Sequence, residues 1–253
     1  MLQALTRRRA PAFLASVTSA QEAELALSGG ADIIDAKDPS KGALGALEGN
    51  EISRIVQAVA GRCLVSATAG DFPASADAVT AAAIATARAG VDIVKVGFVG
   101  GSAALAVIAA LGKLPLGGTR IVGVMMADLE PDFTLMPAMA RAGFAGVMLD
   151  TADKNRGSLT EVLGFEPLRE FLSRARQHEL FCGLAGSLRT IDIAPLVRLQ
   201  PDVLGFRGAL CRAGRNSALD VTRVTAVRAT MDEAAKHKFN EDQLLDALER
   251  PVV

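Results

Sequence analysis

The 253-residue chain contains no tryptophan and no tyrosine, two histidines and three cysteines. With no tryptophan or tyrosine to stack on bases, and with 27 basic residues against 28 acidic ones, it lacks the features of a nucleic-acid partner. Cys63, Cys182 and Cys211 are odd in number and far apart, which excludes a disulfide framework or a close zinc or redox pair. They read as small core residues in a reducing cytoplasm. No H-x-x-E, H-x-H or carboxylate cluster suggests a metal, and His178 and His237 read as solvated surface residues. The opening arginines Arg7, Arg8 and Arg9 lead into Ala10 and Pro11 rather than an apolar leader. No apolar stretch is both long enough and free enough of charge and glycine to span a membrane. These absences predict a cytoplasmic protein, without metal or cofactor, that handles a small molecule.

Half of the residues are hydrophobic, enough to bury one sizeable core. Short apolar runs recur roughly every thirty residues, at 12–17, 32–37, 62–69, 92–98, 120–128, 146–152, 180–187 and 202–208. Alanine-rich segments with helical spacing separate them, several closing on glycine: Gly30, Gly90 and Gly143. Glycine there is the expected left-handed helix cap. Eight continuous apolar strands alternating with helices predict a single (β/α)8 TIM barrel, residues 1–235, with a short helical tail at 236–253. An open doubly wound sheet is the rival, but no G-x-G-x-x-G follows the first strand.

Two lysines, Lys37 and Lys95, stand at the far ends of otherwise apolar strands, in A-D-I-I-D-A-K and V-D-I-V-K-V-G-F. An ammonium in a buried strand is costly without a partner, and such a position is the usual seat of an imine-forming amine. Because strand neighbours alternate in direction, Ile33, Asp35 and Lys37 share one face, as do Ile93 and Lys95, Met148 and Asp150, and Val203, Gly205 and Arg207. All four strands are even-numbered. If these faces point inward, Lys37, Lys95, Asp150 and Arg207 lie in one ring or adjacent rings at the C-terminal mouth, with Asp35 below Lys37 and Lys154 leaning in from the loop. Crowded ammonium groups favour a neutral amine able to attack a carbonyl, and the carboxylates keep the cluster from being an unopposed buried charge. A single strand-end lysine beside an aspartate is also an ordinary ion pair; two at equivalent places on alternate strands favour chemistry.

The ends of the last two strands, Ala185-Gly186-Ser187 and Arg207-Gly208-Ala209, fall where barrels commonly cradle phosphate. Gly186, Ser187 and Gly208 would offer N–H groups, and Arg207 a charged donor fork. The same glycines also suit tight turns.

These residues carry a resemblance. G-G-A-D-I-I-D-A-K-D-P-S-K-G-A-L-G-A from Gly29, with Val65-Ser-Ala-Thr-Ala-Gly-Asp71, Val94-Lys95-Val-Gly97, Met148-Leu-Asp150-Thr-Ala-Asp-Lys154 and Leu184-Ala-Gly186-Ser187, resembles the (5-formylfuran-3-yl)methyl phosphate synthase family. The likeness runs from about Phe13 to Arg212. It implies a lyase that joins two molecules of glyceraldehyde 3-phosphate, with loss of phosphate and water, into the furan precursor of methanofuran-type cofactors. On that basis Lys37 is the Schiff-base lysine, Lys95 a proton carrier, and Asp35, Asp150 and Lys154 supporting charges. It also implies a homo-oligomer. An ordinary class I aldolase and a non-catalytic phosphosugar-binding barrel stay open as alternatives.

Overall fold

Where an aspartate precedes an even strand, it locks the odd strand before it. Asp32, Asp92 and Asp202 each donate a backbone N–H to Phe13, Val65 and Cys182 respectively, at 2.8 to 2.9 Å. Each returns a carboxylate oxygen to that same residue's N–H, at 2.9, 2.8 and 2.7 Å. Three of the four even strands therefore enter the sheet through a reciprocal pair that satisfies the backbone where strand pairing begins.

The computed structural model describes residues 10–70, 75–98 and 103–249. Asp71 and most of the opening segment, both part of the sequence reading, lie outside the described residues. The strands are β1 (Ala12–Val17), β2 (Ile33–Ala36), β3 (Leu64–Thr68), β4 (Ile93–Phe98), β5 (Arg120–Met126), β6 (Gly146–Asp150), β7 (Phe181–Leu184) and β8 (Val203–Phe206). All neighbours are parallel and β8 returns to β1, closing the predicted barrel. Helices α1 (Ala20–Ser28), α2 (Gly49–Val59), α3 (Ala76–Arg88), α4 (Ala103–Leu111) and α5 (Met136–Arg141) follow the first five strands. Two helices follow β6, α6 (Leu159–Val162) and α7 (Phe165–Gln177), and then come α8 (Thr190–Arg198) and α9 (Val221–Glu249). Gly30, Gly90 and Gly143 have φ of 92°, 93° and 81°, the left-handed turn expected of them at helix ends.

Strand parity divides the core in two. Leu14, Ile33, Leu64, Ile93, Met148 and Val203 pack together inside the barrel. Phe13, Ile34, Val65, Val94, Val147 and Leu204 pack outward against the helices. The inward face is thus the one expected to carry the charged side chains. The last helix differs from the sequence reading in extent. With no glycine or proline between Val221 and Glu249, α9 runs unbroken through residue 236, where the tail was expected to begin. Its Val224, Val227 and Met231 are buried. Among the described residues, no helix is long and apolar enough to cross a membrane.

Candidate active site

The inward residues of β2, β4 and β6 meet in two levels. The lower level centres on Asp35, which has no exposed surface. Its carboxylate accepts from Ser16 Oγ of β1 at 2.9 Å and Ser66 Oγ of β3 at 2.7 Å, and pairs with Lys95 Nζ at 2.6 Å. Burial pushes the Asp35 carboxyl up, but the charges of Lys95 and Lys37 outweigh it and hold the group below the usual carboxylate range. Lys95 moves down as well: burial penalises its ammonium and Lys37 repels it, more than Asp35 compensates.

The upper level centres on Asp150, the last residue of β6. Its Oδ2 lies 3.3 Å from Lys37 Nζ. Its Oδ1 accepts from Lys154 Nζ and, at 2.8 Å, from the Thr151 N–H. Burial opposes ionisation of Asp150, but Lys154 and Lys37 together hold its carboxyl far below the ordinary range. Lys154 is lowered chiefly by burial, despite its contact with Asp150. Three lysines thus share two carboxylates.

These shifts have a sign for stability. A carboxyl depressed by folding stabilises the native state fully above its unfolded value, and that contribution is lost as pH falls through the folded value. The part of the acid limb contributed by Asp35 and Asp150 therefore lies below about pH 4. Urea unfolding across pH is expected to show a shallower limb there for Asp150→Asn. An identical slope in the variant would show that Asp150 is not a source of it.

The two levels differ in access. A cavity of about 540 Å³ opens at the C-terminal mouth, with Lys37, Asp150 and Lys154 in its wall and Gly186, Ser187 and Gly208 around them. Lys95 and Asp35 do not line it. In the loop after β2, Ala43 and Leu44 are buried in the inner apolar cluster. That loop is tied down where Thr68 Oγ1 and the Asp38 N–H both donate to Gly45 O, at 2.9 and 2.8 Å. A Cβ at residue 45 would stand 2.3 Å from Asp38 O, so the close approach requires glycine.

The glycine and serine at the end of β7 sit beside the cluster. Gly186 has φ 116°, and a Cβ there would fall 2.9 Å from Thr151 Cγ2. Among the described residues, the N–H groups of Gly186 and Ser187 donate to no backbone acceptor, and Ser187 Oγ donates to Lys154 O at 3.4 Å. Gly208 starts a single 3-10 turn, Gly208–Leu210, whose first N–H groups lack an intrahelical partner.

Arg207 was expected to present a donor fork to phosphate; in the structure it lines the cavity and its five donors are engaged within the chain. Nε donates to Arg215 O at 2.9 Å, Nη1 to Glu22 Oε2 and to Ser16 O at 3.2 Å, and Nη2 to Glu22 Oε1 at 3.2 Å and Ser217 O at 3.0 Å. The guanidinium is buried against α1 and touches the cavity wall without a donor to spare. Ser16, Ser66 and Glu22 were not anticipated. Ser16 and Ser66 left a faint signal, as lone hydroxyls at inward positions of apolar odd strands. Glu22 left none.

A closed parallel barrel with lysine and aspartate converging at its C-terminal mouth defines a TIM-barrel protein whose polar cluster lies where enzymes of this fold place their chemistry. Comparison with known proteins narrows this. Residues 13–228 match the 4-HFC-P synthase family, and the chain belongs to it. The (5-formylfuran-3-yl)methyl phosphate synthases of Methanosarcina acetivorans and Methanocaldococcus jannaschii are each 34% identical to it. Those alignments cover 82% and 80% of this chain and 93% and 91% of the relatives. A Methylorubrum extorquens protein provisionally given the same name is 45% identical, over 85% of this chain and 89% of its own. Among solved structures, thiamine phosphate pyrophosphorylase from Pyrococcus furiosus superimposes with a TM-score of 0.61 at 12% identity, covering 90% of this chain and 98% of its own, a likeness of fold alone.

Proposed function

We propose that this enzyme makes (5-formylfuran-3-yl)methyl phosphate from two molecules of glyceraldehyde 3-phosphate through an imine on Lys37. The observation that carries the reading is the placement of Lys37 Nζ: it lines the open cavity and lies 3.3 Å from a buried carboxylate, while the second strand lysine is sealed beneath. The stoichiometry balances without an oxidant or reductant. Two triose phosphates equal one product, one inorganic phosphate and two waters. The amine adds to an aldehyde and expels water; the resulting iminium draws electrons from the neighbouring carbon, which loses a proton to give an enamine. The enamine expels phosphate from the next carbon, and that carbon attacks C2 of the second triose phosphate after proton transfer has turned it into its ketone isomer. The free hydroxyl of the second triose then closes the ring onto C2 of the first, two waters leave by elimination, and hydrolysis of the imine releases the formyl group.

The other residues divide the remaining work. Asp150, kept anionic, holds Lys37 and Lys154 in place and offsets the iminium charge. Lys154 stands in the cavity wall as a proton donor to departing oxygen. Lys95 and Asp35 form a proton-carrying pair below, acting through Lys37 rather than on the cavity. Gly186, Ser187 and Gly208 offer backbone N–H groups to the phosphate that is retained.

The test is peptide mass spectrometry after incubation with glyceraldehyde 3-phosphate and borohydride, alongside the ultraviolet spectrum of an unreduced sample. With no tryptophan or tyrosine, the chain scarcely obscures a furan aldehyde. An adduct on Lys37 with a new furan absorbance is expected. An adduct without absorbance would favour an ordinary class I aldolase, and neither signal would remove the imine mechanism.

A further inference from the structure

Ser16 and Ser66 are buried hydroxyls on inward strand faces that otherwise carry Ala12 and Leu14 in β1 and Leu64 in β3 beneath them. Strand pairing sets Ser16 opposite Asp35 and Asp35 opposite Ser66, so the three form one row across β1, β2 and β3. A buried hydroxyl without a partner is costly, and each serine donates its single hydroxyl proton to Asp35. Ser16 reaches Oδ2 at 2.9 Å and Ser66 reaches Oδ1 at 2.7 Å. Lys95 Nζ meets that same Oδ1 at 2.6 Å. Three donors thus converge on two oxygens, an arrangement that favours the carboxylate over the carboxylic acid. None of the row lines the substrate cavity. The other charges facing Lys95 are Lys37 at the end of β2 and Asp150 at the end of β6, with Lys154 paired to Asp150. β5 brings apolar Val122, Val124 and Met126 to the interior, and Arg207 closes its own pair with Glu22. Ser66 therefore reaches Lys95 through the oxygen they share.

We infer that Ser16 and Ser66 are positioning residues that keep Asp35 a fixed carboxylate, so that the mobile proton of the lower pair belongs to Lys95 alone. The inference rests on the proposed role of Lys95 as a proton carrier. Lys95 gives an N–H proton to the intermediate bound on Lys37 or takes one from it, and Asp35 is charged in both states. A hydroxyl on Oδ1 weakens that oxygen's hold on the ammonium; without it, the Lys95 proton is held more tightly. The test is the pH dependence of kcat for furan formation by the intact chain. The limb set by Lys95 is the one that Lys95→Arg removes, because arginine keeps its proton. In Ser66→Ala that limb is expected to move to higher pH by about one unit, the effect of one hydrogen bond to a charged group. Ser66→Thr keeps the hydroxyl and should return the limb to its wild-type position. In the Lys95→Arg background, Ser66→Ala should lower kcat little further, since the group it acts on is gone.

A limb that stays in place in Ser66→Ala, or moves equally in Ser66→Thr, would overturn the inference and leave the serines as packing. Losses of kcat that multiply in the double variant would do the same. If Lys95→Arg removes no limb, the proton-carrier reading itself fails and takes the inference with it. If the limb is removed by Lys95→Arg yet unmoved by Ser66→Ala, the carrier stands and only the role of the serines falls. Should Ser66→Ala not fold, Ser16→Ala, which strips the other oxygen of Asp35, is read in the same way.

Discussion

Lys37→Arg is expected to lose all borohydride-trapped adduct and to lower the rate of furan formation by about four orders of magnitude or more, as removal of a covalent nucleophile does. The choice of arginine matters. Lys37 is buried and shares Asp150 with Lys154, so an uncharged replacement would change the electrostatics of the cluster as well as the nucleophile. Arginine keeps a positive charge opposite Asp150 but has no amine that can form an imine at neutral pH. The cavity above Lys37 leaves room for the longer side chain, so thermal unfolding should change little beside the loss of activity. Equal adduct in wild type and Lys37→Arg, located on another lysine, would move the nucleophile elsewhere. The position that would then matter is Lys154, the other lysine in the cavity wall.

The barrel and the meeting of these charges were legible in the sequence for one reason: strand parity is local. Once Ile33 and Ile93 point inward, Asp35, Lys37 and Lys95 follow from the pleat, and Asp150 follows from Met148. What the sequence could not show depends on the third dimension. Arg207 shares the inward parity of its strand, yet its guanidinium is captured by Glu22, 185 positions earlier on the first helix. No spacing rule links an eighth-strand arginine to a first-helix glutamate. The same holds for the separation into a level that lines the cavity and one that does not, since Lys37 and Lys95 share the same parity and differ in access. The motif around Gly45 was visible as a specific run, but its physical content, a backbone approach too close for any Cβ, appears only when Asp38 and Gly45 are brought together. The continuous α9 shows a related limit. A short helical tail was expected from residue 236, whereas helix propensity without glycine or proline joins that tail to the helix begun at Val221.

The sealed level supports the second large prediction, made by two substitutions of Lys95 that separate charge from proton transfer. Asp35 is wholly buried and depends on Lys95 as its nearest counter-charge, with Ser16 and Ser66 completing its hydrogen bonds. Lys95→Met would leave that carboxylate facing one distant ammonium. It is expected to cost about 3–5 kcal/mol in urea unfolding, the range for breaking a buried pair. Lys95→Arg keeps the charge and has to fit a longer side chain among Ile93, Val122 and Met148, an overpacking cost of about 1–3 kcal/mol. Arginine does not give up its proton near neutral pH, whereas burial lowers the Lys95 ammonium from its ordinary value. Lys95→Arg should therefore still trap aldehyde on Lys37 but make furan at least about a hundredfold more slowly, the lower end of what acid–base catalysis contributes. The same variant should leave adduct accumulating before borohydride is added, because imine formation is spared and the later proton transfers are not. Turnover near the wild-type rate in Lys95→Arg would assign the lower pair to structure alone. Loss of adduct and product in equal measure, with folding intact, would place Lys95 in the formation of the imine itself.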